Sequence, residues 1–318
     1  MRAYLIRRLL ALIPTMFFAT LIVFCVIRLI PGDIIDLMIS QHDISDMEVT
    51  RETLEKALGL DVPLYIQYFK WIKGIILHGD LGNSLWLDTK VSEEVLARLP
   101  VTLELAAIAL IFCLIIAIPI GVYSAIRQDT VGDYAGRTFS ILGLAVPGFW
   151  LGTMIVVYPA IWWGWSPPIE LVPFKEDPVE NLKTFLIPGA LMGMAMSAVT
   201  MRMTRAMMLE VLRQDYIRTA WAKGLREKTV IIRHTLKNAL IPVVTLIGLL
   251  LPVLIGGAVI FERIFVLPGL GLLMLEAIYQ RDYPIVTGLM LILGGIVLII
   301  NLLVDLSYGY LDPKVRYR

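Results

Sequence analysis

The chain has 318 residues, of which 58% are hydrophobic and only 17% charged, with a formal net charge of +1. That balance excludes a soluble globule, where about a quarter of the residues are charged, and so small a net charge argues nothing for a nucleic-acid partner. Its two cysteines, Cys25 and Cys113, both fall in apolar runs, which excludes a disulfide framework and a thiolate metal site.

A bilayer core takes about 20 helical residues, and six runs are long enough: 9–30, 101–126, 139–163, 184–201, 239–261 and 284–305. With the N-terminus inside, the inner segments 1–8, 127–138, 202–238 and 306–318 hold 17 of the 28 lysines and arginines. The outer segments are longer yet poorer in basic residues, and 31–98 alone carries twelve acidic side chains. The positive-inside rule therefore predicts both termini in the cytoplasm.

The first run follows Arg7-Arg8, is too long for a secretory h-region and is followed by no small-x-small cleavage site, so it is expected to be retained, with a kink near Pro14. In 31–98, Ser45-Asp46-Met47-Glu48 reads as a capping box for a helix ending at Gly59. Pro63 suits the first turn of a second helix, with Leu64, Tyr68, Trp71 and Ile75 along one face before Gly79. These two helices are expected on the outer membrane surface, as a cap over the bundle and a landing surface for a substrate carrier.

The second run carries a single ionisable group, Glu104, placed to face headgroups or the helix N-terminus. The third is broken by Gly143, Pro147, Gly148, Gly152 and Pro159; such residues line cavities or permit close helix contact. Pro147 and Gly148 are accordingly candidates for lining a pathway. In the fourth run Met192 and Met196 share a face, either as adaptable pore lining or, more commonly, as ordinary packing.

Between the fourth and fifth runs lies a basic, water-facing segment, 203–241. Asp215 is a candidate N-cap and Gly224 a candidate left-handed helix terminator. The helix between them is too short to be stable alone, and Tyr216, Ala220 and Gly224 recur every four residues as a small face suited to docking. Ile232, Leu236 and Leu240 then make an apolar line with Arg233 and Lys237 on another side, a helical arm leading to Pro242. In the last outer loop, Pro268, Gly269 and Gly271 form a tight turn before a short re-entrant helix.

What is missing also constrains the chemistry. There is no phosphate-binding loop, no Gly-x-Ser-x-Gly, no His-Glu-x-x-His and no ionisable group near the bilayer midplane. The three histidines are scattered, so neither a catalytic nor a metal site is expected. A stand-alone channel or ion-coupled carrier would need a filter, a charged relay or inverted repeats, none of which is evident.

The segment 215–225 resembles the cytoplasmic EAA loop of ABC-importer permeases in the dipeptide/oligopeptide/nickel family. Gly224 and Ala220 match the general pattern; Arg218 and Thr219 replace its Glu and Ala, and the distance from Gly224 to Pro242 is longer, as in the peptide/nickel branch. The strings 57–68 and 79–85 and the tail 308–316 resemble the same family, so the likeness covers almost the whole chain. The resemblance implies a B-type permease subunit with an all-α, six-helix, type I (MetI-like) membrane architecture. The chain is divided here into 1–30 with the first helix, 31–98 as an extracytoplasmic helical loop, and 99–318 as a five-helix permease core.

The resemblance also implies a coupling helix in which Asp215, Tyr216, Arg218, Ala220, Lys223, Gly224 and Leu225 meet an ATP-hydrolysing subunit, with Arg233, Lys237 and Pro242 in the arm behind it. Pro268, Gly269 and Gly271 would face a docked extracytoplasmic binding protein. The implied assembly has a second homologous permease and two ATP-binding subunits in a prokaryotic inner membrane, among membrane lipids. ATP and Mg2+ would sit on the partners and no cofactor on this chain. Cargo would be peptides or a similar small solute such as a nickel complex, glutathione or an oligosaccharide.

Overall fold

The computed structural model describes residues 2–29, 55–56, 61–168 and 170–311. The capping box at Ser45, the helix end at Gly59 and most of the C-terminal tail lie outside the described residues. The chain forms α1 (Arg2–Leu29), α2 (Leu64–His78), α3 (Val91–Ile126), α4 (Val131–Ala145) and α5 (Gly148–Trp163). It continues with α6 (Pro178–Leu212), α7 (Asp215–Ala222), α8 (Lys237–Ile264), α9 (Leu270–Gln280) and α10 (Tyr283–Leu311). Among the described residues the one bridge of β type joins Asn83 and Lys90.

Among the described residues four helical stretches, Val91–Ile126, Pro178–Leu212, Glu227–Ile264 and Tyr283–Val304, are long and apolar enough to cross a membrane. α4 and α5 qualify only as a pair bent by 84°, and Leu10–Val26 in α1 is a shorter apolar helix. The all-α membrane fold is therefore as expected, while a count of six unbroken spans is not exact. The break in the third run has a local cause. Val146 precedes Pro147, whose ring disfavours helical backbone at the residue before it, and Val146 is extended at φ −92° and ψ 119°.

The boundaries also differ from expectation. α3 starts at Val91, ten residues early, with Glu93 and Glu94 in the first turn where their charge favours the helix dipole, and it continues through Pro100 and Pro119. α6 starts on Asp177, whose carboxylate accepts from the amides of Val179 and Glu180, and runs to Leu212, well past the apolar run.

The chain divides into two compact units, one of residues 1–4, 100–271 and 299–318, the other of 5–99 and 272–298. In the first, a core of Leu105, Ala109 and Cys113 from α3, Phe185, Met192 and Met196 from α6, and Ala258 and Phe261 from α8 excludes solvent. Close approach of α3 and α6 depends on Gly189 and Gly193, four residues apart as in small-xxx-small helix contacts. A Cβ at Gly193 would stand 2.6 Å from Phe112 Cβ, and one at Gly189 3.1 Å from Ile108 Cβ.

A buried ionic knot closes one end of this unit. Asp133 on α4 is fully buried. It accepts from both Arg205 Nε at 3.0 Å and Arg205 Nη2 at 3.1 Å on α6, and from Arg137 Nε at 3.0 Å. The Ser124 hydroxyl on α3 also donates to Asp133, and the Asp129 amide does so at 3.1 Å. One carboxylate thus ties three helices together.

In the second unit α2 packs on α1. The Tyr68 hydroxyl is 3.1 Å from Thr20 Oγ1, and the Tyr68 and Trp71 rings lie 5.4 and 6.0 Å from that of Phe24. Gly79 closes α2 at φ 64° as the sequence predicts. The Gly79-to-Leu85 string has a structural role: Asp282 Oδ2 accepts from Ser84 Oγ at 2.5 Å and the Leu85 amide at 3.0 Å. Asp282 Oδ1 meanwhile accepts from Ile285 N at 3.2 Å, at the start of α10.

Candidate coupling site

The candidate site is α7 and the arm behind it. Gln214 is the residue flanking α7, extended and without a side-chain cap bond, so Asp215 is the first helical residue rather than the predicted N-cap. The Asp215 carboxylate instead lies 3.4 Å from Arg218, where both side chains are exposed; a pair of that kind contributes little. The C-terminal end is as expected. Gly224 has φ 75°, the Gly224 amide donates to Trp221 O, and the Leu225 amide donates to Ala220 O. This is the left-handed ending that glycine favours.

An eight-residue helix, about 12 Å long, cannot hold itself, and burial on its own chain supplies the stability. Ile217 and Ala220 pack with Val230, against Val211 and Leu212 at the end of α6. Burying one isoleucine contributes about 1.5–3 kcal/mol. Ala220 is thereby turned inward and does not form the free face predicted for Tyr216, Ala220 and Gly224. The outward side carries Tyr216, Trp221 and Leu225, at 45%, 44% and 38% exposure, with Arg218 and Lys223 also exposed. Ile217 and Trp221 escaped the sequence reading; the alternation of Ile217 with Val230 across a turn has no short-range signature, whereas an exposed tryptophan in a basic segment was a visible cue.

The arm departs from the predicted helix in one respect. A single turn at Glu227–Thr229 leads into a π-helix at Val230–Leu236, and α8 follows without a break. The Thr235 hydroxyl donates to Val230 O, five residues back, at 3.1 Å. The wider turn changes which residues face inward. Val230, Thr235, Ala239 and Val243 are buried; of the predicted line, Ile232 is exposed, while Leu236 and Leu240 are half-buried and Leu236 packs against Ala239 and Met208. Arg233 and Lys237 point outward as expected, and α8 runs on through Pro242. Asn238 Nδ2 donates to the Tyr216 hydroxyl at 2.9 Å and to His234 O at 2.9 Å, fastening α7 to the arm.

The other predicted residues are placed as follows. Met192 and Met196 lie in the core of the first unit, in keeping with packing. Pro147 and Gly148 form the break between α4 and α5, and a Cβ at Gly148 would meet Phe261 Cζ at 3.2 Å. Pro268 is exposed, but Gly269 and Gly271 are buried, and their missing side chains make room for Glu262 and Val259. Among the described residues no group of histidine, cysteine or carboxylate side chains could hold a metal.

Residues 117–317 match the family described as binding-protein-dependent transport system inner membrane component, and residues 1–106 match its N-terminal companion. The oligopeptide transport system permease AppB of Bacillus subtilis is 39% identical, with both chains covered end to end. The dipeptide transport system permease DppB of Escherichia coli is 37% identical over the full length of both. A crystal structure of an amino acid ABC transporter with histidines superposes on 69% of this chain and 94% of that one, with a TM-score of 0.51 and 13% identity, which supports the fold alone. Together with the apolar helices and the short α7 seated on its arm, these matches place the chain in the family of binding-protein-dependent transport system inner membrane components, as a multi-pass permease subunit of an ABC importer and not an enzyme.

Proposed function

We propose that the chain forms half of a translocation pathway for peptides or a similar small solute, paired with a second, homologous permease. Of two ATP-binding subunits, which carry ATP and Mg2+, one grips α7 from the cytoplasm, and an extracytoplasmic binding protein delivers cargo to the opposite face. Both termini are cytoplasmic. The observation that carries this reading is the construction of α7: Ile217 fastens it from below while Tyr216, Trp221 and Leu225 stand outward beside Arg218 and Lys223. An amphipathic short helix held this way offers an apolar anchor with a basic rim to a groove on a partner. Ile217 against Val230 and Asn238 on the Tyr216 hydroxyl fasten α7 to the π segment, which runs unbroken into α8, so a push on α7 reaches a membrane helix. Peptide cargo is inferred from the relatives' names.

The experiment is reconstitution of the chain with its neighbouring permease, ATP-binding and binding-protein subunits in liposomes. ATP-dependent uptake of a labelled oligopeptide is expected, together with disulfide capture of a Trp221→Cys variant by a cysteine on the ATP-binding subunit. Uphill uptake by the chain alone would refute the reading, as would an assembly that hydrolyses ATP with residue 221 remaining out of reach.

A further inference from the structure

Within the second unit, α1, α2 and α10 surround a small cavity of about 20 Å³. Thr20 of α1, Trp71 of α2 and Thr287 of α10 stand on its wall, and both threonines are buried. Gly294 also lines it, and a Cβ there would meet nothing beyond the helix's own backbone within 4 Å. The size is selective. One water needs about 10–15 Å³ of such space, whereas a hydrocarbon chain cannot enter.

The wall carries an unmet donor. Trp71 Nε1 is shut off from solvent and has no hydrogen-bond partner among the described residues, although a buried indole N–H ordinarily finds one. The ring is not free to seek one elsewhere, being stacked on Phe24 at 6.0 Å and set against Tyr68 at 6.3 Å. The two hydroxyls supply acceptors. Thr287 Oγ1 commits its proton to Tyr283 O at 2.8 Å or Pro284 O at 3.1 Å, and Thr20 Oγ1 commits its own to Phe17 O at 2.8 Å. The Tyr68 hydroxyl, 3.1 Å away, therefore donates to Thr20 Oγ1. A hydroxyl oxygen has two lone pairs, so both threonines still have one to offer. The wall thus presents one donor and two acceptors.

We propose that this cavity binds a single structural water, which accepts from Trp71 Nε1 and donates to Thr20 Oγ1 and Thr287 Oγ1. Water is the small neutral ligand that answers this set, taking one hydrogen bond and giving two. A cation would face the positive end of the indole N–H, and an anion would find one donor against two acceptors. An apolar occupant would leave the N–H unmet, which is the costly case for a buried donor. One bound water then joins α1, α2 and α10 at a point where their side chains leave a gap between them.

The test uses the intact importer complex in lipid nanodiscs, imaged by cryo-electron microscopy at a resolution that shows ordered waters. The wild type alone decides. One peak is expected within about 3.2 Å of Trp71 Nε1 and of both threonine oxygens. No peak, acyl-chain density in the cavity, or Trp71 Nε1 directly against a protein oxygen overturns the proposal. A second measurement isolates the indole by ultraviolet resonance Raman spectroscopy, each protein being compared with its Trp71→Phe counterpart, which keeps a ring and removes the N–H. A hydrogen-bonded Trp71 N–H is expected in the wild type. In the double variant Thr20→Val with Thr287→Val, which removes both acceptors, the band is expected to shift to the position of a free N–H. A free N–H in the wild type, or a bonded band unchanged in the double variant, also overturns it.

Discussion

The Glu262 carboxylate occupies the space that a side chain at Gly269 would fill: a Cβ built there falls on the carboxyl group itself. Glu262 is fully buried on α8 and accepts from Thr102 Oγ1 on α3 at 2.7 Å. Thr102 Oγ1 in turn accepts from the Leu270 amide at 2.8 Å. The Pro268–Gly271 turn is therefore wrapped around a buried acid, and Gly271 is confined as well, with Val259 Cα 2.8 Å from its would-be Cβ. Thr102→Val removes both the donor to Glu262 and the acceptor for Leu270, and is expected to cost about 1–3 kcal/mol. Gly269→Ala must displace the turn, whereas Pro268→Ala, at an exposed position, is expected to be near neutral. Thermal unfolding of the purified complex checks all three; equal midpoints for Gly269→Ala and Pro268→Ala would contradict the wrapped-turn account.

Val266, just before that turn, sits at φ 55°, a left-handed conformation that costs an L-residue about 1–2 kcal/mol. The Leu267 amide donates to Glu262 O at 2.8 Å and holds it there. Val266→Gly relieves the strain but frees the unfolded chain, which returns about 0.4–1 kcal/mol of the gain. A small rise in unfolding temperature is expected, with Val266→Ile no more stable than the natural residue.

At Gly224 the constraint is conformational alone: φ is 75°, and nothing lies within 4 Å of a Cβ. Gly224→Val is expected to distort the end of α7 and lower binding-protein-stimulated uptake, with membrane insertion unchanged. Gly224→Asn, which tolerates left-handed backbone, should retain most of it. Uptake and stimulated ATPase measured in proteoliposomes decide the point, and equal activity of the two variants would remove Gly224 from the coupling path.

Which parts of this were legible in the sequence follows from the range of the forces involved. Hydropathy placed every apolar run because each is a property of neighbours along the chain. Gly79 and Gly224 were legible because a helix ending is a local event. The role of Ile217 depends on Val230, thirteen residues away across a turn, and the roles of Gly269 and Gly189 depend on Glu262 and Ile108, which no local pattern joins to them. The π segment breaks the periodicity at its start, since Ile232 fits a four-residue repeat with Leu236 and Leu240 yet is the one of the three that the wider turn leaves exposed. The 189–193 glycine pair is the one miss that a known spacing rule would have caught.

The π segment has a consequence of its own. Such a segment amounts to one extra residue in an α-helical run, and it recurs at functional sites. Deleting Ile232, an exposed residue, should restore ordinary α-helix and rotate everything before it by about 100° relative to α8. Val230 would then leave the pocket it shares with Ile217. The expected outcome is an assembled complex whose ATPase no longer responds to the binding protein. Ile232→Ala, by contrast, should stay within about 0.5 kcal/mol of the natural stability and keep normal uptake. Wild-type stimulation in the deletion variant would show that α7 drives α8 without this register.

The knot at Asp133 makes the last prediction. Its carboxylate takes both Arg205 nitrogens from α6, a bidentate pairing that sets angle as well as distance. Arg205 lies one helical stretch ahead of Asp215, so this pairing fixes the direction in which α6 delivers α7. Arg205→Met leaves the buried carboxylate short of a strong partner and is expected to cost about 1.5–3 kcal/mol, as is Asp133→Asn. In the double variant the costs should fall well below their sum, because the second change removes a charge the first had already stranded. Unfolding midpoints of the purified complex, compared as a double-mutant cycle, measure that coupling. Strict additivity would mean that Arg137, Ser124 and the Asp129 amide satisfy Asp133 without Arg205 and that Arg205 steers nothing.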